Sequence, residues 1–590
     1  MEQSTRSRSA VISTENINQI WASLLVEECL RNGADTFFIA PGSRCTPLTL
    51  AVARHPEARV QQHFDERGLG FAALGFSRAT GRPGVVICTS GTAVSNLTPA
   101  VVEASMDAQP MLLLTADRPF ELRDCGANQA IPQTGAFAPY LRWSMDLSSP
   151  DSSISPETVL TTVDRAFQSL RHGPVHLNCP FREPLAPLPD RTDAEAYLIS
   201  LHDWSRGHRP FTTNISSISQ PDELSLSDLK ELLGGNPRLL IIAGGGCNEA
   251  EALAIEQLGE QQAWPIVSDV SSGLHFGPRR NGVVRHVDAL VGDWGFPEAL
   301  VPEIVLQFGC RVLSKRLLSA LKTHPPRTWI QVSNREGRFD PLHQVSHRFF
   351  TDMDRFCLLW HQEGLPVSDP GWKRAWLRAD TAVERIYHGQ LDSAHTLSEP
   401  AVARAVTRLL PNLHGLVLGA SMPVRDVNQF AARNTRQIHV ACNRGASGID
   451  GTLATAAGFA RGLNQCVTVL LGDLAALHDL NSLAMVATSR VPVIVIVVNN
   501  HGGGIFHFLP VADDSPEFEK FFGTPHEWDF ESAAAQFGLP YACLKDMEEF
   551  EAAYEEALAT RKSCLIEVET DRTENVAQHA ALAELVKLPV

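Results

Sequence analysis

The chain runs to 590 residues, too long for one hydrophobic core, and three domains of ordinary size is the natural division. Hydrophobic residues make up 44% and charged residues 20%, which excludes a disordered or fibrous chain. A net charge of −17 argues against general nucleic-acid binding through phosphates, and no apolar run approaches the ~20 residues that span a bilayer. The twelve cysteines show neither a C-x-x-C pair nor zinc-site spacing, so they read as small buried hydrophobes in a reducing compartment. The opening MEQSTRSRSAVIS lacks the apolar core of a signal peptide, which points to the cytoplasm.

The first third alternates strand and helix signals. DTFFIAPGSR (35–44) predicts a short strand running into a Pro-Gly turn, with a helix through Leu50. A strand at 60–64 follows, then a Gly/Ala helix, a strand at 84–91, a helix from Thr92, and strands at 110–118 and 173–181. Apolar strands alternating with helices predict a parallel sheet covered on both faces, here a domain over 1–190. Residues 191–225 turn Pro/Ser/Asp-rich with weak periodicity, as a linker does. A second block, 226–370, has strands at 238–246, 265–270, 303–309 and 328–333. A helical, Trp-bearing linker (371–394) leads to a third block, 395–590, with strands at 415–421, 437–443, 466–473, 491–500 and 564–570. The expected fold is three consecutive α/β domains, the first and third sharing one grammar of strand, small-residue loop and Ala-rich helix.

The helix in HFDERGLGFAALGFSRATG (63–81) carries almost no charge before Ser77-Arg78, so it is expected to be buried on most sides. Glu66 at its start is then either a capping charge or a carboxylate held in a dry place. Ligands of α/β sheets bind outside the carboxyl ends of the strands. In the third block Gly472-Asp473 ends one apolar strand and Asn500 ends the next. Asp473, Asn500 and a carbonyl from the turn Gly502-Gly503-Gly504 make half of an octahedral oxygen shell, which magnesium would complete with phosphate oxygens and water. Gly472, Gly502 and Gly503 remove side chains where a diphosphate must approach the backbone. AGGGCNEAE (243–251) superficially suggests a dinucleotide loop but lacks the spaced G-x-G-x-x-G.

Glu66 and this metal–diphosphate pattern resemble the thiamine diphosphate-dependent enzymes, in which a glutamate of one domain and a GD…N motif of another hold the cofactor. Within them the chain looks like one family, on APGSR (40–44), HFDERGLGFAALG (63–75), TSGTAVSNL (89–97), TADRPFEL (115–122) and GANQAI (126–131). NRGASGIDG (443–451), GDLAALHDLN (472–481) and VVNNHGGGIF (497–506) carry the likeness through the third block. The family is the synthase of menaquinone and phylloquinone biosynthesis that joins 2-oxoglutarate to isochorismate, and the resemblance covers essentially the whole chain.

That resemblance implies thiamine diphosphate with magnesium or manganese, and a Glu66 that hydrogen-bonds the aminopyrimidine and so activates the thiazolium carbon. It implies decarboxylation of 2-oxoglutarate and 1,4-addition of the four-carbon unit to isochorismate, in a homodimer or dimer of dimers with active sites at the subunit interface. Both substrates are dicarboxylates, which arginine forks suit. Arg44, Arg118, Arg425, Arg444 and the pair Lys315-Arg316 stand beside predicted strand ends and match the family's motifs. Gln129 and Asn128 carry over as substrate-contacting amides, and Ser421 as a contact near diphosphate and substrate. Ile449 carries over as the bulky residue that bends the cofactor, and Ile505 and Phe506 as apolar lining. Four positions depart from the pattern: Cys45 for a serine, Ala475 for a small hydroxyl residue, His478 for a tyrosine and Gly504 for a glutamine. His63 reads as packing or as support behind the site, with His478 and His501 the other histidines near the motifs. An acetolactate synthase-like carboligase would not need so many arginines, and a non-catalytic homologue would have no reason to keep Glu66, Asp473 and Asn500.

Overall fold

The computed structural model describes residues 10–215, 223–278, 282–362 and 367–587. Three six-stranded, wholly parallel sheets follow one another along the chain. The first contains β1 (Thr36–Ile39), β2 (Arg59–Gln62), β3 (Gly84–Cys88), β4 (Met111–Asp117), β5 (Trp143–Asp146) and β6 (Pro174–Pro180). The second contains β7 (Leu239–Ala243), β8 (Ile266–Ser268), β9 (Val283–Val284), β10 (Ile304–Phe308), β11 (Thr328–Ser333) and β12 (His347–Phe350). The third contains β13 (His414–Leu418), β14 (Ile438–Cys442), β15 (Val467–Gly472), β16 (Val493–Asn499), β17 (Tyr541–Leu544) and β18 (Cys564–Glu569). The first sheet is ordered β2-β1-β3-β4-β6-β5 and the third β14-β13-β15-β16-β18-β17, the same winding repeated. The middle sheet, β12-β11-β10-β7-β8-β9, winds outward from β7 and β10.

The apolar runs of the sequence are the inner strands, buried on both faces; every residue of β4, β7, β10 and β16 is buried. The sequence reading misses β5, β9, β12 and β17, and each of these lies at the edge of its sheet. An edge strand faces solvent and needs no continuous apolar run; β5 and β12 are mostly exposed, and β9 has only two residues.

The chain forms two compact units: Met1–Ser216 with Asn443–Asn464 and Asp479–Val491, and Ser217–Cys442 with Gln465–His478 and Pro492–Val590. Both expected linkers carry regular structure, the second helical as its sequence implies. Ala194–Leu198 and His202–Arg206 are short helices, and Leu201 and Trp204 join the core of the first unit. The Trp204 indole donates to Glu28 at 2.8 Å, and the Arg31 guanidinium lies 3.9 Å above its ring. The Pro370–Leu391 helix buries Trp376 and Tyr387 in the core of the second unit, and its Asp380 accepts the backbone amides of Arg285 and His286 at 2.9 and 3.0 Å. Polar composition hid anchors that a few large aromatics supply.

In the first unit the Glu66–Thr80 helix is buried from Gly68 to Ser77, as its lack of charge predicts. Asp65 caps it, accepting from the amides of Arg67 and Gly68, and Gly81 closes it in the left-handed region at φ 68°. Its small residues pack against the Thr452–Leu463 helix of the same unit. A Cβ on Gly75 would stand 2.1 Å from the Thr455 carbonyl, and one on Gly458 1.9 Å from that of Ala72. The two backbones meet where only glycine fits, so the Gly/Ala composition serves helix–helix contact within the chain.

Candidate active site

In the second unit Ser421, Gly472-Asp473 and Asn500 stand at or just beyond the carboxyl ends of the neighbouring strands β13, β15 and β16. Asp473 is 2% exposed. Its Oδ2 accepts from the Gly502 amide at 2.8 Å and from His526 Nε2 at 3.1 Å, and its Oδ1 accepts the Leu474 amide at 2.6 Å. Burial raises the Asp473 carboxyl, against the lowering pull of the Gly502 and Leu474 amides and His526. Asn500 donates through Nδ2 to Glu399 at 2.8 Å, while its Oδ1 is buried without a hydrogen-bond partner among the described residues. Glu399 is itself buried, and burial reinforced by Asp426 pushes its carboxyl up to about 8.

Gly502 sits at φ 147°, and its carbonyl accepts from Gly504 at 3.0 Å, leaving a second lone pair. A Cβ on Gly472 would meet nothing within 4 Å, so there is open space at the end of β15. Ser421 holds φ 72°, a conformation that L residues rarely adopt, and begins the Met422–Phe430 helix without a side-chain cap. These features fit a metal–diphosphate group: an orphaned amide oxygen, a buried carboxylate, a carbonyl and room beside a glycine. No group of three or more His, Cys, Asp or Glu side chains among the described residues could hold a metal, so an ion here would depend on the diphosphate for much of its shell.

Arg425 donates to the Ser421 carbonyl. Lys315 and Arg316 open the helix after β10, and Arg316 lies 3.4 Å from Asp293. Asp288, which the sequence reading missed, ties these elements together. It accepts from Ser314 at the start of the Lys315 helix and from Asn428 of the Arg425 helix at 2.9 Å. Ile505 is half-buried and Phe506 exposed on the Gly504–Phe508 turn. Gly504 has its Cβ position 2.6 Å from Asn500 Nδ2, so a glycine there goes with this placement of the amide. Ala475 is buried, and His478 ends the short helix that Asp473 begins. His501 is at φ 59° with its ring 5.7 Å from that of His526.

In the first unit Glu66 is half-buried rather than fully desolvated; Asp65 does the capping, and Asn96 Nδ2 lies 3.4 Å from Glu66 Oε2. Cys45, the departure from serine, points inward with its thiol 3.2 Å from the Gly42 carbonyl. Arg44 is buried, donating to the Phe181 carbonyl at 2.8 Å and pairing with Glu183 at 3.1 Å, while its Nε lacks a partner among the described residues. Burial lowers the Arg44 pKa, and the nearby positive charge of Arg118 lowers it further. Two cations held close in this way favour an anion between them. Arg118 Nε donates to the Asn128 carbonyl at 3.0 Å, and both Asn128 and Gln129 are exposed. Gln129, at φ 59°, exchanges hydrogen bonds with Ser90: its Nε2 donates to the Ser90 carbonyl at 2.9 Å, and Ser90 Oγ donates to its carbonyl at 3.0 Å. Arg444 and Ile449, both half-buried, lie on the loop between β14 and the Thr452 helix. His63 is buried, its Nε2 unpartnered among the described residues and its pKa lowered by burial, consistent with packing.

The AGGG turn after β7 is closed by its own chain. Gly245 donates to the Arg311 carbonyl at 3.1 Å and accepts from Cys310 at 2.9 Å. The following helix is already neutralised at its start by the Asn248–Glu251 capping box. No helix among the described residues is long and apolar enough to cross a membrane.

Comparison with known proteins places the chain among thiamine pyrophosphate enzymes. Residues 21–137 match the thiamine pyrophosphate enzyme N-terminal TPP binding domain, 195–418 the middle domain of thiamine pyrophosphate, and 421–568 the thiamine pyrophosphate enzyme C-terminal TPP binding domain. A 2-succinyl-5-enolpyruvyl-6-hydroxy-3-cyclohexene-1-carboxylate synthase of Rubrobacter xylanophilus is 46% identical over 96% of this chain and 98% of its own. Synthases of the same name from Salinibacter ruber and Chlorobaculum tepidum are 44% and 41% identical, over 98% and 97% of both chains respectively. The chain belongs to the 2-succinyl-5-enolpyruvyl-6-hydroxy-3-cyclohexene-1-carboxylate synthase family of thiamine pyrophosphate enzymes.

Proposed function

We propose that this chain decarboxylates 2-oxoglutarate and adds the remaining four-carbon unit in a 1,4 sense to isochorismate, releasing carbon dioxide and 2-succinyl-5-enolpyruvyl-6-hydroxy-3-cyclohexene-1-carboxylate. Thiamine diphosphate, when bound, supplies the electron sink for the carbon–carbon bond that breaks and the one that forms. Asp473, Asn500 Oδ1 and the Gly502 carbonyl would hold magnesium or manganese, with Gly472, Gly503 and Ser421 admitting the diphosphate. Ile449, Ile505 and Phe506 would line the cofactor. Glu66 is not spent on the helix cap, so its carboxylate is available to share a proton with a ring nitrogen of the aminopyrimidine. Arg44, Arg118, Lys315, Arg316, Arg425 and Arg444 would take the substrate carboxylates, with Gln129 and Asn128 as neutral partners. The protein would work in the cytoplasm as a homodimer or dimer of dimers, Glu66 of one protomer facing the aminopyrimidine of the cofactor whose diphosphate its partner holds.

The observation that carries this reading is Asn500 Oδ1, a buried amide oxygen without a donor on the strand beside that of Asp473. The test is Glu66→Gln. It should retain thiamine diphosphate and lower turnover by ~10²–10⁴-fold, the usual worth of a general acid–base group. Unchanged turnover would remove Glu66 from the chemistry. Carbon dioxide release from 2-oxoglutarate and from pyruvate, each with and without isochorismate, tests the substrates; turnover of pyruvate alone would overturn their assignment.

A further inference from the structure

The Thr98–Met106 helix of the first unit is apolar on its inner face, with Ala100, Val101 and Ala104 fully buried. Glu103 interrupts that face at 2% exposure. A carboxylate in such a place must be compensated by charge and hydrogen bonds. Arg78 supplies the charge, its Nη2 lying 2.7 Å from Oε1, but Arg78 also pairs with Asp107, so one cation serves two carboxylates. The rest of the compensation comes from a loop more than 300 residues away in sequence. Oε1 accepts the Gly445 amide at 2.7 Å and Oε2 accepts the Ala446 amide at 2.6 Å.

These two amides fix the peptide planes immediately after Arg444. The loop is pressed onto the helix, since a Cβ on Gly445 would stand 2.6 Å from the Glu103 carbonyl oxygen. The loop and this helix together line a cavity of about 420 Å³, bounded by Phe71, Ser95, Thr98, Glu103, Ala446 and Gly448, so packing alone leaves the loop room to shift. The Arg444 guanidinium has no hydrogen-bond or ion-pair partner among the described residues. Its direction therefore rests on the backbone that carries it.

We infer that Glu103 is a positioning residue for substrate binding, holding the Arg444 loop through the Gly445 and Ala446 amides. The inference rests on the reading of Arg444 as a carboxylate-binding residue. A carboxylate with two acceptor oxygens suits the task; a glutamine would turn an NH₂ group toward one of the two amides and leave that donor unpaired.

The experiment uses the full-length enzyme with thiamine diphosphate and magnesium, comparing wild type, Glu103→Gln, Arg444→Ala and the double variant for KM and kcat on both substrates. Glu103→Gln should raise KM for at least one substrate about tenfold or more while lowering kcat by a smaller factor, in line with loss of a charged hydrogen bond. In the Arg444→Ala background the same change should alter that KM less than about twofold, because coupled residues are not additive. An equal effect in both backgrounds, or an unchanged KM in Glu103→Gln, overturns the inference. If Arg444→Ala leaves both KM values unchanged, the substrate role of Arg444 fails and the inference falls with it, a result distinct from failure of Glu103 alone. Should Glu103→Gln not fold, Gly445→Ala displaces the loop with Glu103 intact and must raise the same KM; an unchanged KM there counts against the inference equally.

Discussion

Two glycine turns in this molecule look alike in sequence and behave oppositely. Both follow buried parallel strands: Gly244-Gly245-Gly246 after β7, and Gly502-Gly503-Gly504 beyond β16. The first is sealed, its backbone bonded to residues 310 and 311 and its helix closed by the Asn248–Glu251 capping box. The second is surrounded by unspent groups: the Asn500 Oδ1 without a partner, the second lone pair of the Gly502 carbonyl, and open space at Gly472. Glycine content permits a phosphate to approach, but a site exists only where the polar groups around it are not consumed by the chain itself.

This contrast can be broken experimentally. The largest effect is expected for Asp473→Ala, which should weaken Mn²⁺ binding in the presence of thiamine diphosphate by more than ~100-fold, beyond the usual cost of losing an outer partner. Electron paramagnetic resonance of free Mn²⁺ reads this directly, and retained binding would move the metal elsewhere. Glu399→Leu should follow with a ~10–100-fold loss, because it frees the Asn500 amide that Glu399 now orients. At the sealed turn, Gly309→Ala forces a side chain at φ 79° with its Cβ 2.6 Å from the Gly245 carbonyl. It should cost about 1–3 kcal/mol in thermal unfolding and leave Mn²⁺ and thiamine diphosphate affinities unchanged; a fall in affinity would mean that the middle turn contributes to the site. The smallest effect is expected for Gly245→Ala, whose Cβ would meet the rotatable Ser271 hydroxyl at 2.8 Å. Its stability should stay within about 1 kcal/mol of wild type, and a larger loss would show that the seal tolerates no side chain.

The difference between the turns was partly legible before the structure. The sequence already argues against AGGGCNEAE as a dinucleotide loop, on the missing glycine spacing, and favours the Asp473–Asn500 pair from its position at two strand ends. It carries no sign of the hydrogen bonds with residues 310 and 311 that close the first turn, nor of Glu399, His526 and Asp288 behind the second site. Each of those is an acid or histidine in an unremarkable stretch, and its role comes from a partner far along the chain. Glu66 shows the same limit in reverse. Its helix is as buried as its composition implies, yet the carboxylate itself is half-buried, because the adjoining Asp65 takes the cap.

What the sequence by itself determined is whatever local composition enforces. Inner strands buried on both faces must be apolar runs, so they can be read directly, and the repeated grammar of the first and third blocks corresponds to one repeated strand order. What only the tertiary structure decided is whatever depends on the neighbour. Edge strands β5, β9, β12 and β17 are strands because an inner strand offers them a ladder. Gly75 and Gly458 are required because two distant helices touch there, and Glu103 has its role because the amides after Arg444 fold onto it. Burial leaves a mark on composition over many residues, whereas a single hydrogen-bonding partner leaves none.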